Sequence, residues 1–140
     1  MNIKIVYATR TKHSRKIAEA MGERLKITPV NILLKPEPVS ADLLIIAGGI
    51  YGGESMPELL EYVKKLDGTS IKSAALVTSC ASGKQKQASV RKILEEKGIK
   101  VIDEFICRGN FLIVSAKHPD SSDLKAVADF AEKTAAVFQA

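Results

Sequence analysis

The sequence predicts a three-layer α/β fold, in which helices cover both faces of a doubly wound, five-stranded parallel sheet. The first observation is a set of short, uninterrupted apolar runs, such as residues 42–49, which are typical of strands buried on both faces. The second is that these runs alternate with segments of helical periodicity, such as residues 57–66. Five strands in a chain of 140 residues favour the strand order 2-1-3-4-5 with right-handed crossovers.

Strands are predicted where apolar, often β-branched residues run together and end at turn-forming residues. They cover residues 4–8, 27–34, 42–49, 74–79 and 101–107. The second strand is followed by Lys35-Pro36-Glu37-Pro38, and its two prolines prevent the strand from continuing.

Helices are predicted where apolar residues recur every three or four positions. They lie around Ile17, Met21 and Leu25, from Pro57 to Leu66, and over residues 85–97 and 123–138. Gly98 is expected to end the third helix as a left-handed cap, because glycine adopts positive φ without strain. Ser121 or Ser122 is the expected N-cap of the last helix.

The composition is that of a globular protein, with 46% hydrophobic and 26% charged residues, and one domain over residues 1–140 is expected. No apolar run approaches the length of a membrane span, and Met1 leads into the first strand without a signal peptide. A cytoplasmic protein without membrane contact is therefore expected. A net charge of +5 without a dense basic run favours anionic ligands or acidic partners, and not nucleic acids.

A turn rich in hydroxyl side chains connects the first strand to the first helix. It reads Thr9-Arg10-Thr11-Lys12-His13-Ser14. Such a turn brings hydroxyls, backbone N–H groups and the positive end of a helix dipole to one point, which suits a phosphate monoester. The glycine patterns of dinucleotide and nucleoside triphosphate loops are absent from it. Capping of the helix is the alternative role of these hydroxyls.

Two further turns are predicted at the same edge, because the carboxyl ends of parallel strands lie together. The turn after the third strand reads Gly48-Gly49-Ile50-Tyr51-Gly52-Gly53-Glu54-Ser55-Met56-Pro57, and the turn after the fourth reads Thr78-Ser79-Cys80-Ala81-Ser82-Gly83. Glycines let the backbone approach a ligand closely, and the Tyr51 ring offers a flat surface for stacking. The three turns together form the predicted ligand site.

In its order of elements and in these turns, the chain resembles the short-chain flavodoxins and the wider flavodoxin-like group. In that group the first turn reads roughly (Ser/Thr)-x-Thr-Gly-(Asn/Thr)-(Thr/Ser) and binds the phosphate of FMN, which implies the same role for residues 9–14. The group's aromatic residue and glycine are matched by Tyr51-Gly52, which implies a ring packed on the isoalloxazine and a peptide facing flavin N5. Residues 49–53 and 79–82 complete the FMN site that the resemblance implies.

The resemblance implies an FMN-binding electron-transfer protein, and the positive charge of the chain points to acidic redox partner proteins. Three features depart from the group's pattern. Lys12 stands where glycine is usual, the third turn lacks a second aromatic residue, and flavodoxins are usually acidic. These departures leave two alternatives open: a flavin-dependent oxidoreductase of a small quinone or porphyrinogen-like substrate, or a cofactor-free interaction module that retains the fold.

The two cysteines of the chain, Cys80 and Cys107, close the fourth and fifth predicted strands. Both are therefore expected near the ligand edge. They are interpreted as small buried hydrophobic residues, with a redox-active thiol pair as the alternative.

Overall fold

The computed structural model describes residues 2–9, 13–51, 53–80, 87–108 and 121–139. Its strands are β1 (Ile3–Ala8), β2 (Val30–Asn31), β3 (Ala41–Tyr51), β4 (Glu54–Ser55), β5 (Ile71–Cys80) and β6 (Lys100–Arg108). Its helices are α1 (His13–Leu25), α2 (Pro57–Lys65), α3 (Ala88–Glu96) and α4 (Ser121–Gln139).

Five of these strands form a parallel sheet in the order β2-β1-β3-β5-β6. This confirms the predicted order, since β5 and β6 are the fourth and fifth predicted strands. The short strand β4 is an addition to the prediction and pairs antiparallel with the end of β3. The register sets Ala8, Gly48 and Thr78 side by side, so the carboxyl ends of β1, β3 and β5 lie at one edge.

Successive residues of the central strand β3 face two separate hydrophobic cores. Leu44 and Ile46 belong to the core that contains residues of α2 and α3, whereas Leu43 and Ile45 belong to the core that contains residues of α1 and α4. All four side chains are fully buried. This burial on both faces explains why β3 is a continuous apolar run, and it confirms the three-layer architecture.

The connection from β2 to β3 differs from the prediction. A strand is predicted over residues 27–34, but only Val30 and Asn31 pair with β1. The Asn31 side-chain oxygen accepts a hydrogen bond from the backbone N–H of Leu33 at 3.0 Å, which folds the chain into a turn and ends the strand. Residues 32–40 then reach β3 without the helix that usually connects parallel strands.

The ends of the helices agree with the prediction in one case and differ in two. Gly98 has a φ of +78°, which confirms the left-handed cap after α3. The prediction that α3 begins at Gln85 is wrong, because the backbone of Gln87 is not helical (φ −81°, ψ 67°). Ser121 and Ser122 are both residues of α4, so neither is its N-cap, because an N-cap lies just outside the helix.

The longest described helix is α4, with 19 residues, among them several charged ones. Across the ranges that the structure describes, no helix is both long enough and apolar enough to span a membrane.

Candidate functional site

The first predicted turn lies between the end of β1 and the start of α1. Thr9 follows β1 directly and is half-buried, and α1 begins four residues later at His13. The structure describes Thr9, His13 and Ser14 of this turn. Arg10, Thr11 and Lys12 lie outside the described residues, so their predicted contacts remain predictions.

Ser14, the second residue of α1, is a buried hydroxyl with a relative exposure of 1%. Within the described ranges its Oγ has no hydrogen-bond partner. Such a group is unusual, because burial removes the water that would otherwise bind it. The first turn of α1 also holds no acidic residue, so its side chains do not neutralise the positive end of the helix dipole. A buried donor beside this positive end fits an anion.

The second predicted turn is a tight hairpin between β3 and β4. Tyr51 pairs across the hairpin with Glu54, and Gly53 has a φ of +83°, the left-handed conformation that a two-residue turn requires. Gly49 and Ile50 are buried on the β3 side. The predicted roles of the Tyr51 side chain and of Gly52 lie outside the part that the structure describes. The glycine-rich segment is thus a defined turn with Tyr51 at one end.

The third predicted turn begins where β5 ends. Ser79 is buried and pairs with Gly49 on one side and with Cys107 on the other. This register brings the ends of β3 and β5 together, as the predicted site requires. The Cys80 side chain, Ala81 and Ser82 lie outside the described residues, so their part in the site stays a prediction.

The two cysteines are not partners in the sheet register. Cys107 pairs with Ser79, whereas Cys80 pairs with Arg108. Cys107 is 3% exposed and packs in the core beneath α1 and α4, in line with its interpretation as a small buried residue.

Two buried polar side chains at this edge, those of Gln87 and Thr78, are not among the FMN-site residues that the resemblance implies. Gln87 is fully buried, and its Nε2 donates a hydrogen bond to the Val77 carbonyl at 2.8 Å. Among the described residues, neither Gln87 Oε1 nor Thr78 Oγ1 has a hydrogen-bond partner. Spacing is the signal that could have identified Gln87, since Val90 and Leu94 follow it on the buried face of α3.

His13, at the start of α1, has a lowered pKa. Partial burial is the larger cause, because it disfavours the charged imidazolium, and the positive charge of Lys16 adds to the effect. The pKa of His13 therefore lies below its ordinary value of 6.5. The imidazole is therefore mostly neutral at pH 7.

The lowered pKa of His13 predicts that the folded protein gains stability as the pH rises towards 6.5. Between the folded and unfolded pKa values the unfolded chain binds more protons, so acid favours unfolding. Urea unfolding at pH 5 and pH 7 should show a smaller pH dependence for His13→Asn than for the unsubstituted protein. An unchanged pH dependence in the variant would contradict this assignment.

Metal chemistry has no support from the described side chains. Over the described ranges, no group of three or more His, Cys, Asp or Glu residues is arranged to hold a metal ion.

A parallel sheet in this order, with candidate ligand turns at its carboxyl edge, defines a flavodoxin-like α/β protein. The chain belongs to the flavodoxin domain family, whose model matches residues 4–113. A relative in Methanocaldococcus jannaschii, an uncharacterised protein, is 25% identical over 133 residues that cover 86% of this chain and 89% of that protein.

Two solved structures show the same fold. A flavodoxin from the domain Archaea superposes with a TM-score of 0.71 at 12% identity, over 100% of both chains. General stress protein 14 of Treponema denticola, solved in complex with FMN, superposes with a TM-score of 0.59 at 12% identity, over 99% of this chain and 98% of that one. At these identities the likeness establishes the fold.

Proposed function

We propose that the protein binds FMN at the carboxyl edge of its sheet and transfers electrons between redox partner proteins. Membership of the flavodoxin domain family and the FMN bound to the Treponema protein support a flavin ligand. The observation that carries the proposal is the buried Ser14 hydroxyl, which lacks a partner within the described ranges. A phosphate oxygen would accept its hydrogen bond at the positive end of α1.

The residues of the first turn fit the phosphate end of FMN. Ser14 supplies a buried donor, and Thr9 lies at the opposite end of the turn. Arg10, Thr11, Lys12 and His13 would complete the turn, with the positive charges of Arg10 and Lys12 attracting the dianion. The start of α1 therefore offers hydroxyl donors and positive charge to one small anion.

The second and third turns fit the ring end of the ligand. Tyr51 and Gly52 would lie against the isoalloxazine, and Ser79 with the residues after it would border the other side. FMN supplies the electron-carrying chemistry, while the chain holds it, orients it and sets the charge around it. The register of β3 against β5 sets Gly49 beside Ser79, where these two turns leave the sheet.

Purified protein should quench the fluorescence of added FMN and keep a yellow chromophore after desalting. Stacking against Tyr51 and exclusion of water are the expected causes of the quenching. A folded protein that leaves FMN fluorescence unchanged at micromolar concentrations would contradict the proposal. That outcome would favour the cofactor-free interaction module instead.

We expect FMN bound here to have a less negative hydroquinone potential than FMN in a typical acidic flavodoxin. The net charge of +5 stabilises the negative charge that reduction adds to the flavin. The third turn also lacks a second aromatic residue, whose ring would disfavour the anionic reduced flavin. Redox titration of the reconstituted protein at low and high ionic strength measures this, and salt should reduce the difference. A potential equal to or lower than that of the acidic flavodoxin would refute the expectation.

A flavin-dependent oxidoreductase is the second candidate. The lack of an aromatic residue in residues 78–83 would leave room for a small quinone or porphyrinogen-like substrate over one face of the ring. Turnover of quinones with NAD(P)H by the reconstituted protein would favour this enzyme. Reduction and reoxidation only through protein partners, acidic ones above all, would favour the electron carrier.

A further inference from the structure

The hairpin that would contact the flavin ring is tied to a neighbouring helix by one carboxylate. Glu54 stands directly opposite Tyr51 in the β3–β4 pairing. One carboxylate oxygen of Glu54 accepts a hydrogen bond from the backbone N–H of Ser55 at 2.8 Å. The other accepts a hydrogen bond from the Ser89 hydroxyl, also at 2.8 Å. Both oxygens are therefore held in place.

Ser89 lies in the first turn of α3, and the N-terminus of this helix lacks a side-chain cap of its own. The N-cap residue Gln87 makes no side-chain capping hydrogen bond, and the first turn contains no acidic residue. The Gln87 side chain instead donates a hydrogen bond to the Val77 carbonyl of β5. Glu54 brings a negative charge to the start of α3 from another element, which the helix dipole favours.

The same contact connects the Tyr51 hairpin to the start of α3. Glu54 follows Gly53 in the hairpin, and Ser89 lies two residues after the buried Gln87. Tyr51 is thus paired with Glu54, and Glu54 is hydrogen-bonded to Ser89 of α3. The start of α3 is in turn joined to β5 by the hydrogen bond from Gln87.

We propose that Glu54 and Ser89 form a latch that holds the Tyr51 hairpin against the start of α3 and thereby positions the hairpin for binding of the flavin ring. Glu54 is a positioning residue here, since it acts through the hairpin and through α3. The inference rests on the proposed function in that the hairpin is taken to contact FMN. The latch itself is a contact of the protein alone, so it can be tested without the ligand.

The test compares Glu54→Ala, Ser89→Ala and the double variant with the unsubstituted protein. Each single change should raise the FMN dissociation constant about three- to tenfold and leave more residual flavin fluorescence, because the hairpin is held less firmly. The double variant should be no worse than the worse single one, since either change breaks the same contact. Glu54→Gln retains one acceptor oxygen and gains an amide group that can donate to the Ser89 hydroxyl, so it should lose less affinity than Glu54→Ala.

Glu61→Ala is the matched control. Glu61 is an exposed carboxylate on α2 that pairs with Lys64 at 3.4 Å and belongs to none of the three turns. This variant should bind FMN like the unsubstituted protein. Single latch variants with unchanged affinity and fluorescence, or additive losses in the double variant, would overturn the proposal.

Hydrogen exchange of the unliganded protein separates the latch from the proposed function. Backbone amides of residues 50–55 should exchange about three- to tenfold faster in Glu54→Ala and in Ser89→Ala, while those of β1 should not change. Unchanged exchange at residues 50–55 would overturn the latch even if FMN binds. If the unsubstituted protein fails to bind FMN, the proposed function fails, and this exchange comparison alone decides whether the latch exists.

Discussion

Replacing Ser14 by alanine should weaken FMN binding by about ten- to a hundredfold without destabilising the unliganded protein. The affinity falls because the phosphate loses a charge-assisted hydrogen bond, for which about 1.5–3 kcal/mol is typical. The unliganded protein loses nothing comparable, because the buried Oγ has no partner among the described residues. Fluorescence titration with FMN and urea unfolding of the apoprotein measure the two quantities.

Thr134→Val is the matched control for Ser14→Ala. Thr134 is also buried with an Oγ1 that lacks a partner in the described ranges, but it lies in α4, away from the three turns. Its replacement should leave FMN affinity unchanged. If Ser14→Ala instead destabilises the apoprotein by about 1 kcal/mol and spares FMN affinity, the hydroxyl serves the helix start and not a phosphate.

Leu59→Ala should lower the free energy of unfolding by about 2–5 kcal/mol, the usual loss when a buried leucine side chain is truncated and a cavity is left in the core. Leu59 is fully buried in the core beneath α2 and α3, and its Cδ2 lies against Gly48 at the end of β3. Urea unfolding followed by circular dichroism measures the loss. A change below about 1 kcal/mol would mean that Leu59 is not packed as described.

Gly48→Ala provides a sharper form of the same test. A Cβ on Gly48 would lie 2.7 Å from Leu59 Cδ2 and 3.1 Å from Gln87 Oε1, so alanine should destabilise the protein by about 1–3 kcal/mol. Combined with Leu59→Ala the loss should be smaller than the sum, because the new methyl group occupies part of the cavity.

Leu43→Ala is the control for this coupling. Leu43 is fully buried on the opposite face of β3, in the core beneath α1 and α4. Its effect should add to that of Gly48→Ala within about 0.5 kcal/mol. Additivity in the Leu59 pair as well would contradict the described packing around Gly48.

The strand order follows from the sequence because the central strands are buried on both faces and must be apolar throughout. Residues 42–49 and 74–79 lie within β3 and β5. Because these segments are apolar on both faces, they must lie in the middle of a sheet that is covered by helices on both sides. The end of β2 could not be predicted in this way, since Leu33 and Leu34 continue the apolar run. Leu34 is 80% exposed, because the Asn31 turn directs the chain away from the sheet.

Only part of the candidate site can be predicted from the sequence. The hydroxyls of the first turn are adjacent in the sequence, so the sequence alone predicts Ser14 as a phosphate-binding residue, whereas its burial depends on the fold. The hairpin of β4 depends on the left-handed Gly53, for which the Gly52-Gly53 pair was the available signal. The contacts of Glu54 with Ser89 and of Gln87 with Val77 join residues brought together by the fold, and no local pattern predicts them.

The most direct test of the FMN assignment is to titrate the unsubstituted apoprotein with FMN and with riboflavin under identical conditions. Riboflavin lacks the phosphate, so the ratio of the two dissociation constants isolates the contribution of the first turn. The proposed phosphate site at Ser14 and the start of α1 predicts that FMN binds at least about a hundredfold more tightly. Equal affinities for the two flavins, or no binding of either by the folded protein, would contradict it.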